Sequence, residues 1–157
     1  MFTMGASRPM GINKAIMSDD ATVVMTNYQA YADSIRSVRT EVFVIEQSVP
    51  IELEHDEFDE SATHVVVFSH GLAIATGRIL VDGHIGRIAV LKEWRGKGFG
   101  KLIMEKFFER AKEQKLSSVW LSSQWHAHGF YCNLGFACIG EKYYEAGIEH
   151  IKMRKPI

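Results

Sequence analysis

The residues of this chain best suited to chemistry lie in one short run, Arg95-Gly96-Lys97-Gly98-Phe99-Gly100. Its three glycines let the backbone turn sharply and come close to a ligand. A helical apolar pattern follows, and the unpaired amides and dipole of a helix start favour an anion. Positive charge is concentrated at the same place, on Lys92, Arg95, Lys97 and Lys101. The run predicts a site for a phosphate-bearing ligand, whose identity these features leave open.

Other phosphate-binding loops place different residues after their glycines. A P-loop needs serine or threonine directly after its Gly-Lys pair, whereas Gly96-Lys97 is followed by glycine and Gly100-Lys101 by leucine. A dinucleotide fingerprint starting at Gly96 needs a glycine where Lys101 stands. Neither motif is present. From the turn alone, a tight loop with solvated lysines stays open as an alternative.

Composition predicts a single domain. The 157 residues are 46% apolar and 24% charged, as in ordinary folded proteins. A net charge of -1 and a pI of about 6.7 argue against nucleic acid as the main ligand, because proteins that bind phosphate backbones are usually more basic. We expect one domain over residues 21–157, preceded by a leader over residues 1–20 that shows no apolar period and is predicted to be disordered.

Cysteine usage and hydropathy predict a cytoplasmic protein. Cys132 and Cys138 are too few for a disulfide framework and are not paired as in a structural zinc site. His126 and His128 resemble a metal pair, but no third ligand stands at a suitable spacing, so no metal is expected. No apolar run reaches the roughly 18 residues of a membrane span, and the leader lacks the apolar stretch of a secretory signal.

Periodicity predicts the elements that must position the glycine turn. Apolar residues at helical spacing from Tyr31 to Ile45, with Asn27 as a cap, predict an amphipathic helix of about four turns. A second helix should run from the glycine turn to near Gln114, and a third from His126 to Leu134. β-Branched and apolar runs predict strands over 21–26, 63–69, 72–81, 84–91, 118–122, 137–144 and 149–155.

The connections predict how these strands pair. Short turns at His70-Gly71, Asp82-Gly83 and Ala146-Gly147 favour antiparallel neighbours. The order strand, helix, strand around the glycine turn predicts a crossover and a parallel pair. Six acidic residues from Glu52 to Glu60 predict a loop, which could steer a cationic substrate or simply be solvated. The expected class is α/β or α+β, with a mixed, mostly antiparallel sheet flanked by helices.

Two stretches carry a specific family resemblance. Ile88-Ala89-Val90 followed by Arg95–Gly100 resembles the acetyl-CoA motif of the GNAT acetyltransferase superfamily. The stretch Phe130–Phe136 is similar to a later helix motif of the same superfamily. The resemblance extends from about Ala21 to the C-terminus. Shorter matches, such as Glu46-Gln47 and Gly147-Ile148 with His150, resemble the ElaA-like branch.

The resemblance implies acetyl-CoA as co-substrate and a sheet of about six to seven strands with its parallel pair around the cofactor cleft. Ile88, Ala89 and Val90 would offer backbone groups to the pantetheine arm. The turn would hold the pyrophosphate, with contacts from Arg95, Gly96, Lys97, Gly98, Phe99, Gly100 and Lys101. This agrees with the anion site inferred from glycine and helix-dipole physics.

Acyl transfer to an amine needs a neutral amine, a stabilised oxyanion and a proton for the departing thiolate. The resemblance implies Tyr131 as the proton donor and a backbone amide near Val90 as the oxyanion donor. A phenol with a pKa of ~10 can protonate a leaving thiolate. The alternative for Tyr131 is a purely structural aromatic pair with Phe130.

The general base is less well defined by the sequence. Four residues are candidates, with Glu46 and His126 placed in the expected catalytic set: Glu46, Glu54, His64 and His126. Where family members often carry a strand carboxylate, this chain has Arg87, so that route is closed. A covalent intermediate on Cys132 is disfavoured because its side chain diverges from that of Tyr131 by about 100° on a helix. Direct transfer in a ternary complex is preferred.

The function expected is therefore acetylation of a primary amine on a small molecule. A protein or peptide N-acetyltransferase is one alternative, and it would need an open groove. A non-catalytic acyl-CoA sensor is another. No nucleic-acid or membrane partner is expected, and a homodimer formed through the strands after Gly135 stays open.

Overall fold

A computed structural model describes residues 12–13 and 20–157 of the chain. Its strands are β1 Ile12–Asn13, β2 Ala21–Thr26, β3 Thr63–Ser69, β4 Leu72–Ile79, β5 His84–Val90, β6 Ser118–Gln124, β7 Ala137–Glu145 and β8 Ile148–Pro156. They form one sheet in the order β1-β2-β3-β4-β5-β6-β8-β7. Apart from the two-residue β1, these are the seven strands predicted from periodicity. The expected leader lies largely outside the described residues, so its disorder stays a prediction.

Helices cover both faces of this sheet. The α-helices are α1 Ala32–Arg39, α2 Ile51–Glu54, α3 Phe99–Glu113 and α4 His128–Asn133. Shorter 3-10 turns occupy Gln29–Tyr31, Glu57–Glu60, Lys92–Trp94 and Trp125–Ala127, and a π-helix spans Thr40–Glu46. The mixed, mostly antiparallel fold with flanking helices is therefore confirmed.

The sheet separates two apolar layers. In β3, Val65 and Val67 pack into the layer on the α3 side, whereas Val66 packs into the layer on the α1 side. The alternation follows from the two-residue period of a strand. The helices contribute buried apolar side chains to their layers: Ile103 and Phe107 from α3, Ile35 and Val38 from α1. The core therefore sits on both faces of the central strands.

The first helical segment differs from the sequence prediction at both ends. The Asn27 side chain accepts a hydrogen bond from the amide of Ala30 at 2.9 Å, although the N-cap residues are Tyr28 for the 3-10 turn and Tyr31 for α1. From Thr40 onward the α-helix widens into the π-helix. A wider turn shifts the apolar stripe, so Ile45, which the 3.6-residue period places on the buried face, is 65% exposed.

The acidic segment is not the loop that its charge density predicted. It forms α2 and the 3-10 helix Glu57–Glu60, with Asp56 accepting a cap hydrogen bond from the amide of Phe58 at 3.1 Å. Glu54 and Asp59 are buried. Arginines from other elements neutralise these carboxylates, which a local count of charges does not reveal.

A crossover through α3 joins β5 to β6 and makes them parallel, as predicted. Their pairing is short, with His84 opposite Trp120 and Ile85 opposite Leu121. Directly afterwards the register between β4 and β5 shifts by one residue, so that Arg87 and Ile88 both face Gly77. Arg87 has a φ of 54°. Such a bulge bends its strand and increases the local twist, which turns β5 away from β6.

Gly77 is required by this bulge. A Cβ atom built there would lie 2.5 Å from Cδ1 of Ile88, 3.0 Å from Cγ2 of Ile103 and 3.1 Å from Cε2 of Phe107. The bulge presses Ile88 onto β4, and α3 packs from the same side. No larger residue fits without displacing this layer of the core.

We therefore expect Gly77→Ala to lower the free energy of unfolding by about 1–3 kcal/mol, the usual cost of overpacking a core. Gly86→Ala in the adjacent strand is the control, because a Cβ at Gly86 meets no heavy atom within 4 Å. Urea unfolding of both variants checks this. Equal stability of the two would show that the contacts at Gly77 relax at no cost.

Candidate active site

The early parting of β5 and β6 opens a gap inside the sheet. β6 continues along β8 as far as Gln124, which pairs with His150, but it has left β5 after Leu121. Among the described strands, none pairs with the edge of β5 that faces β6 beyond Ile85. An open edge of this kind can accept an extended ligand as though it were an added strand.

The backbone of Val90 points into this gap. The amide of Leu91 donates to the carbonyl of Ile74 at 2.9 Å, which makes those two residues a hydrogen-bonded antiparallel pair. Such pairs alternate with non-bonded ones, so Val90, opposite Ala75, directs its N–H and C=O away from β4. The carbonyl of Val90 accepts a hydrogen bond from Nε of Arg95 at 2.9 Å. The amide of Val90 is left facing the gap.

The glycine turn lies at the same end of β5. Gly96 and Gly98 have φ values of 78° and 89°, and Gly98 directly precedes α3. Side chains strongly disfavour these angles, so glycine is needed at both positions. Within the described part of the chain, the amides of Gly96, Gly98, Phe99 and Gly100 donate to no acceptor. Together they form a cluster of donors at the positive end of a four-turn helix, which suits an anion.

The guanidinium group of Arg95 is bound by a carboxylate of the protein and does not extend freely into solvent. Its Nη1 and Nη2 atoms each lie 2.6 Å from an oxygen of Glu46. The hydrogen bonds from Arg95 lower the pKa of the Glu46 carboxyl below its usual range. A carboxylate held in this bidentate way is a weak proton acceptor, so its geometry suits Glu46 to fixing the turn more than to serving as a base.

A cavity of about 450 Å³ occupies the gap. Its walls include Gly86, Arg87 and Ile88 from the open edge of β5. Tyr131 of α4 and His150 of β8 also line it. The structure thus brings the predicted proton donor to the part of the sheet where β5 is unpaired.

Tyr131 combines a packed ring with an unpaired hydroxyl. The ring makes edge contacts with Phe130 and Phe136, at centroid distances of 5.0 and 5.9 Å. The aromatic packing anticipated as an alternative is therefore real, but the hydroxyl makes no hydrogen bond with any described residue. Burial raises the pKa of Tyr131 to about 12. The hydroxyl is thus protonated at neutral pH and able to donate into the cavity.

The predicted bases are dispersed. His64 is fully buried, its Nε2 lies 2.9 Å from the carbonyl oxygen of Asp59, and burial lowers its pKa. His126 is exposed, and neither histidine lines the cavity. Glu54 does line it, but its carboxylate is bound by Arg39. None of these groups therefore provides the cavity with a free proton acceptor.

Sequence reasoning did not assign a role to three polar residues that line the cavity. His150 is 7% exposed, and its Nδ1 lies 2.7 Å from the carbonyl oxygen of Ile148. Gln124 donates to Gln47 at 2.8 Å and links β6 to the segment after α1. His150 and Gln47 stand in the short stretches that resemble the ElaA-like branch. That resemblance is the sequence signal that could have identified them as site residues.

Buried ion pairs fasten the acidic segment beside the cavity. Arg39 binds Glu54 and Asp59, and Arg78 lies 2.8 Å from Asp59 and 2.6 Å from Asp56. Arg87 lies 3.1 Å from Asp56 and donates to the carbonyl of Glu54 at 3.0 Å. Three guanidinium groups therefore balance three carboxylates. Glu54, Asp56 and Asp59 are engaged in structure and are not free to steer a cationic substrate.

Two further properties concern the described residues as a group. No three histidine, cysteine, aspartate or glutamate side chains in residues 20–157 are gathered so as to hold a metal ion. Over the same range, every helix is too short or too polar to cross a bilayer.

Comparison with known proteins identifies the class. Residues 16–157 match the family described as acetyltransferase (GNAT) domain, and the chain belongs to that family. The uncharacterized N-acetyltransferase YjcF of Bacillus subtilis is 36% identical over 137 residues, covering 85% of this chain and 97% of YjcF. Family membership makes the chain a transferase of the acetyltransferase class.

The ElaA-like branch is supported in the same way. Protein ElaA of Escherichia coli is 31% identical over 82% of this chain and 88% of its own length, and its crystal structure superimposes with a TM-score of 0.77. The crystal structure of an acyl-CoA N-acyltransferase from Pseudomonas aeruginosa matches with a TM-score of 0.78 and 30% identity, covering 86% of this chain and 99% of that one.

The ion-pair network gives a prediction for stability against pH. Burial alone would raise the pKa of Asp59, but Arg39 and Arg78 outweigh it and hold the pKa far below the usual range. Asp59→Asn should lower the free energy of unfolding by about 3–5 kcal/mol at pH 7, because it leaves buried guanidinium groups uncompensated. Because the pKa of Asp59 is lower in the folded chain than in the unfolded chain, where it is about 3.9, the Asp59 carboxylate stabilises the fold at pH values above about 4. The difference in unfolding free energy between Asp59→Asn and wild type should therefore shrink as the pH falls below about 4.

Glu57→Gln is the matched control for this prediction. Glu57 lies in the same 3-10 helix but is exposed. Its change should stay within about 0.5 kcal/mol. Chemical unfolding at several pH values measures both variants. A pH-independent loss in Asp59→Asn would contradict the electrostatic explanation.

Proposed function

We propose that this chain transfers an acetyl group from acetyl-CoA to a primary amine, directly and within a ternary complex. The observation that carries the proposal is that β5 adjoins all three candidate features: the unpartnered amides of the turn that follows it, its own open edge, and the cavity lined by Ile88 and Tyr131. An anion, an extended amide-containing arm and a reacting acyl group need these three features in this order. Membership of the GNAT acetyltransferase family supports the same reaction.

The residues present fit coenzyme A. The amides of Gly96, Gly98, Phe99 and Gly100 would hold its pyrophosphate, with Lys97 and Lys101 adding positive charge. The edge residues Ile88, Ala89 and Val90 would bind the pantetheine arm through backbone groups. Arg95 is also expected to contact the phosphates, and its hydrogen bonds to Glu46 and to the carbonyl of Val90 shape the turn. The bound thioester supplies an activated acetyl group to the cavity.

The protein then has two tasks at the reacting carbonyl. The amide of Val90, which faces the gap, would donate to the oxygen as negative charge develops there. Donors fixed in place before the reaction stabilise such charge at little reorganisation cost. The hydroxyl of Tyr131 would protonate the departing thiolate. Its raised pKa keeps it in the donating form at neutral pH.

The volume of the cavity supports a small acceptor. A volume of about 450 Å³ lies within the range of about 300–1,000 Å³ typical of small-molecule sites. Gln47 and Gln124 bridge one side of it, and the segment held by the ion pairs covers another.

The cofactor site can be tested with two glycines of equal strain. Gly96 and Gly71 have φ values of 78° and 79°, and a Cβ would meet no heavy atom within 4 Å at either position. Alanine should therefore impose a similar backbone cost at both. Gly96→Ala should weaken coenzyme A binding by at least about tenfold, the loss of about 1.4 kcal/mol expected for one good hydrogen bond, while Gly71→Ala should not. Isothermal titration calorimetry measures this, and equal affinities would exclude the turn as the phosphate site.

The reaction itself can be tested with an amine panel and acetyl-CoA while free thiol is followed. Tyr131→Phe should lower kcat by about 100-fold, a typical contribution of a general acid, and leave coenzyme A affinity unchanged. Tyr144→Phe, at a tyrosine that is 74% exposed on β7, should behave as wild type. Unchanged turnover in Tyr131→Phe would remove the acid assignment. Stabilisation by acetyl-CoA without thiol release from any amine would indicate a sensor.

A further inference from the structure

His150 stands at the open end of the gap. It lies in β8 opposite Gln124, the last residue of β6, and therefore beyond the point where β5 has departed. It shares the cavity with Tyr131, yet the residue is only 7% exposed. A side chain so placed is protected from bulk water but has access to a ligand in the cavity.

The hydrogen bonds of His150 select one form of its ring. Nδ1 lies 2.7 Å from the carbonyl oxygen of Ile148, and a carbonyl can only accept, so Nδ1 must carry the proton. In the neutral ring the lone pair is then on Nε2. Nε2 has no hydrogen-bond partner among the described residues and is not sealed off from the cavity. His64 is the opposite case, because its Nε2 is occupied and its Nδ1 is fully enclosed.

The ring of His150 is also fixed in orientation. It stacks against Tyr143 of β7 at a centroid distance of 6.0 Å and an angle of 26°. The hydroxyl of Tyr143 is in turn hydrogen-bonded to Ser122 of β6. β6, β7 and β8 thus all contribute contacts that orient the imidazole. Such support is typical of a group that must meet a reacting atom.

The other titratable or charged groups of the cavity are Glu54, Arg78, His84, Arg87, Tyr131 and Glu145. Glu54 and the two arginines belong to the ion-pair network. His84 stacks on Trp120 at 3.8 Å, at the closed end where β5 and β6 still pair. Glu145 is exposed at the end of β7. Among these cavity groups, only His150 is buried and also has an available lone pair at the open end of the gap.

We infer that His150 is the general base that takes the proton from the acceptor amine, an assignment that rests on the proposed function. An alkylammonium group gives one proton to Nε2 and becomes a neutral amine. Its nitrogen forms the new C–N bond as the C–S bond breaks, and the thiolate takes the proton of Tyr131. The phenolate recovers a proton from the new amide nitrogen. His150 releases its proton to solvent, so the net products are an amide, free thiol and one proton.

The test uses the full chain with acetyl-CoA and two acceptors, 2-phenylethylamine, which is protonated at neutral pH, and aniline, which is not. His150→Asn retains a donor for the Ile148 carbonyl but removes the basic nitrogen. We expect kcat/KM for 2-phenylethylamine to fall at least about 100-fold at pH 7 and the acid limb of its pH profile to disappear. The loss with aniline should be at least tenfold smaller, because that amine needs no initial deprotonation.

His128→Asn is the matched control. The Nδ1 atom of His128 lies 2.6 Å from the carbonyl oxygen of Trp125 and its ring stacks on Trp125 at 3.9 Å, but it does not line the cavity. This variant should keep the wild-type profile with both amines. His84→Asn should keep the acid limb, and its loss there would transfer the role to His84 and overturn the inference.

A measurement on the wild-type protein covers the case in which His150→Asn does not fold. Long-range ¹H–¹⁵N NMR of the coenzyme A complex should show His150 protonated at Nδ1 when neutral. Protonation at Nε2 would overturn the inference, as would equal losses with the two amines in His150→Asn. If wild type releases no thiol with any amine, the proposed function fails as well. If wild type turns over and His150→Asn matches it, the base assignment alone is wrong.

Discussion

The bulge at Arg87 and Ile88 opposite Gly77 is the constraint on which the rest of the site depends. Parallel neighbours normally run side by side along their length, but here the pairing of β5 with β6 stops at Ile85. The extra residue in β5 bends that strand, and the bend exposes a backbone edge in the interior of the sheet. The open edge that lines the cavity follows from that bend, and the amide of Val90, in the same strand, and the glycine turn after it lie further along the chain. Gly77 makes it sterically feasible, because Ile88 and α3 fill the space that a side chain would need.

Arginine–carboxylate pairs hold the elements around this gap. Burying charge is unfavourable unless partners and hydrogen bonds compensate it, and here three arginines face three acids. The pairs join α1, β4 and β5 to the segment from Ile51 to Glu60, which would otherwise be too acidic to fold onto the sheet. The pair of Arg95 and Glu46 does the same for the glycine turn. Glu54, Asp56 and Asp59 therefore act in positioning, and their charge is not available to attract a substrate.

Local patterns were good predictors where local forces dominate. Strand periodicity and turn residues located the seven longer strands to within a few residues, and the Asn27 side chain accepts a hydrogen bond from the 3-10 turn that precedes α1. The crossover at the glycine turn predicted the parallel pair. The failures have a common cause. The burial of Glu54 and Asp59 depends on arginines far away in sequence, and the exposure of Ile45 depends on a π-helix that the 3.6-residue period does not describe.

What the sequence determined by itself is the set of elements and the glycine turn with its helix, because these follow from spacing, backbone freedom and side-chain period within a few residues. Tertiary structure alone decided which polar groups share the cavity. The bulge, the ion pairs and the stacking of His150 on Tyr143 each join residues from separate elements, and no local pattern encodes such a distance. For the same reason Glu46, an acid next to an apolar helix face in sequence, is in space the partner of Arg95.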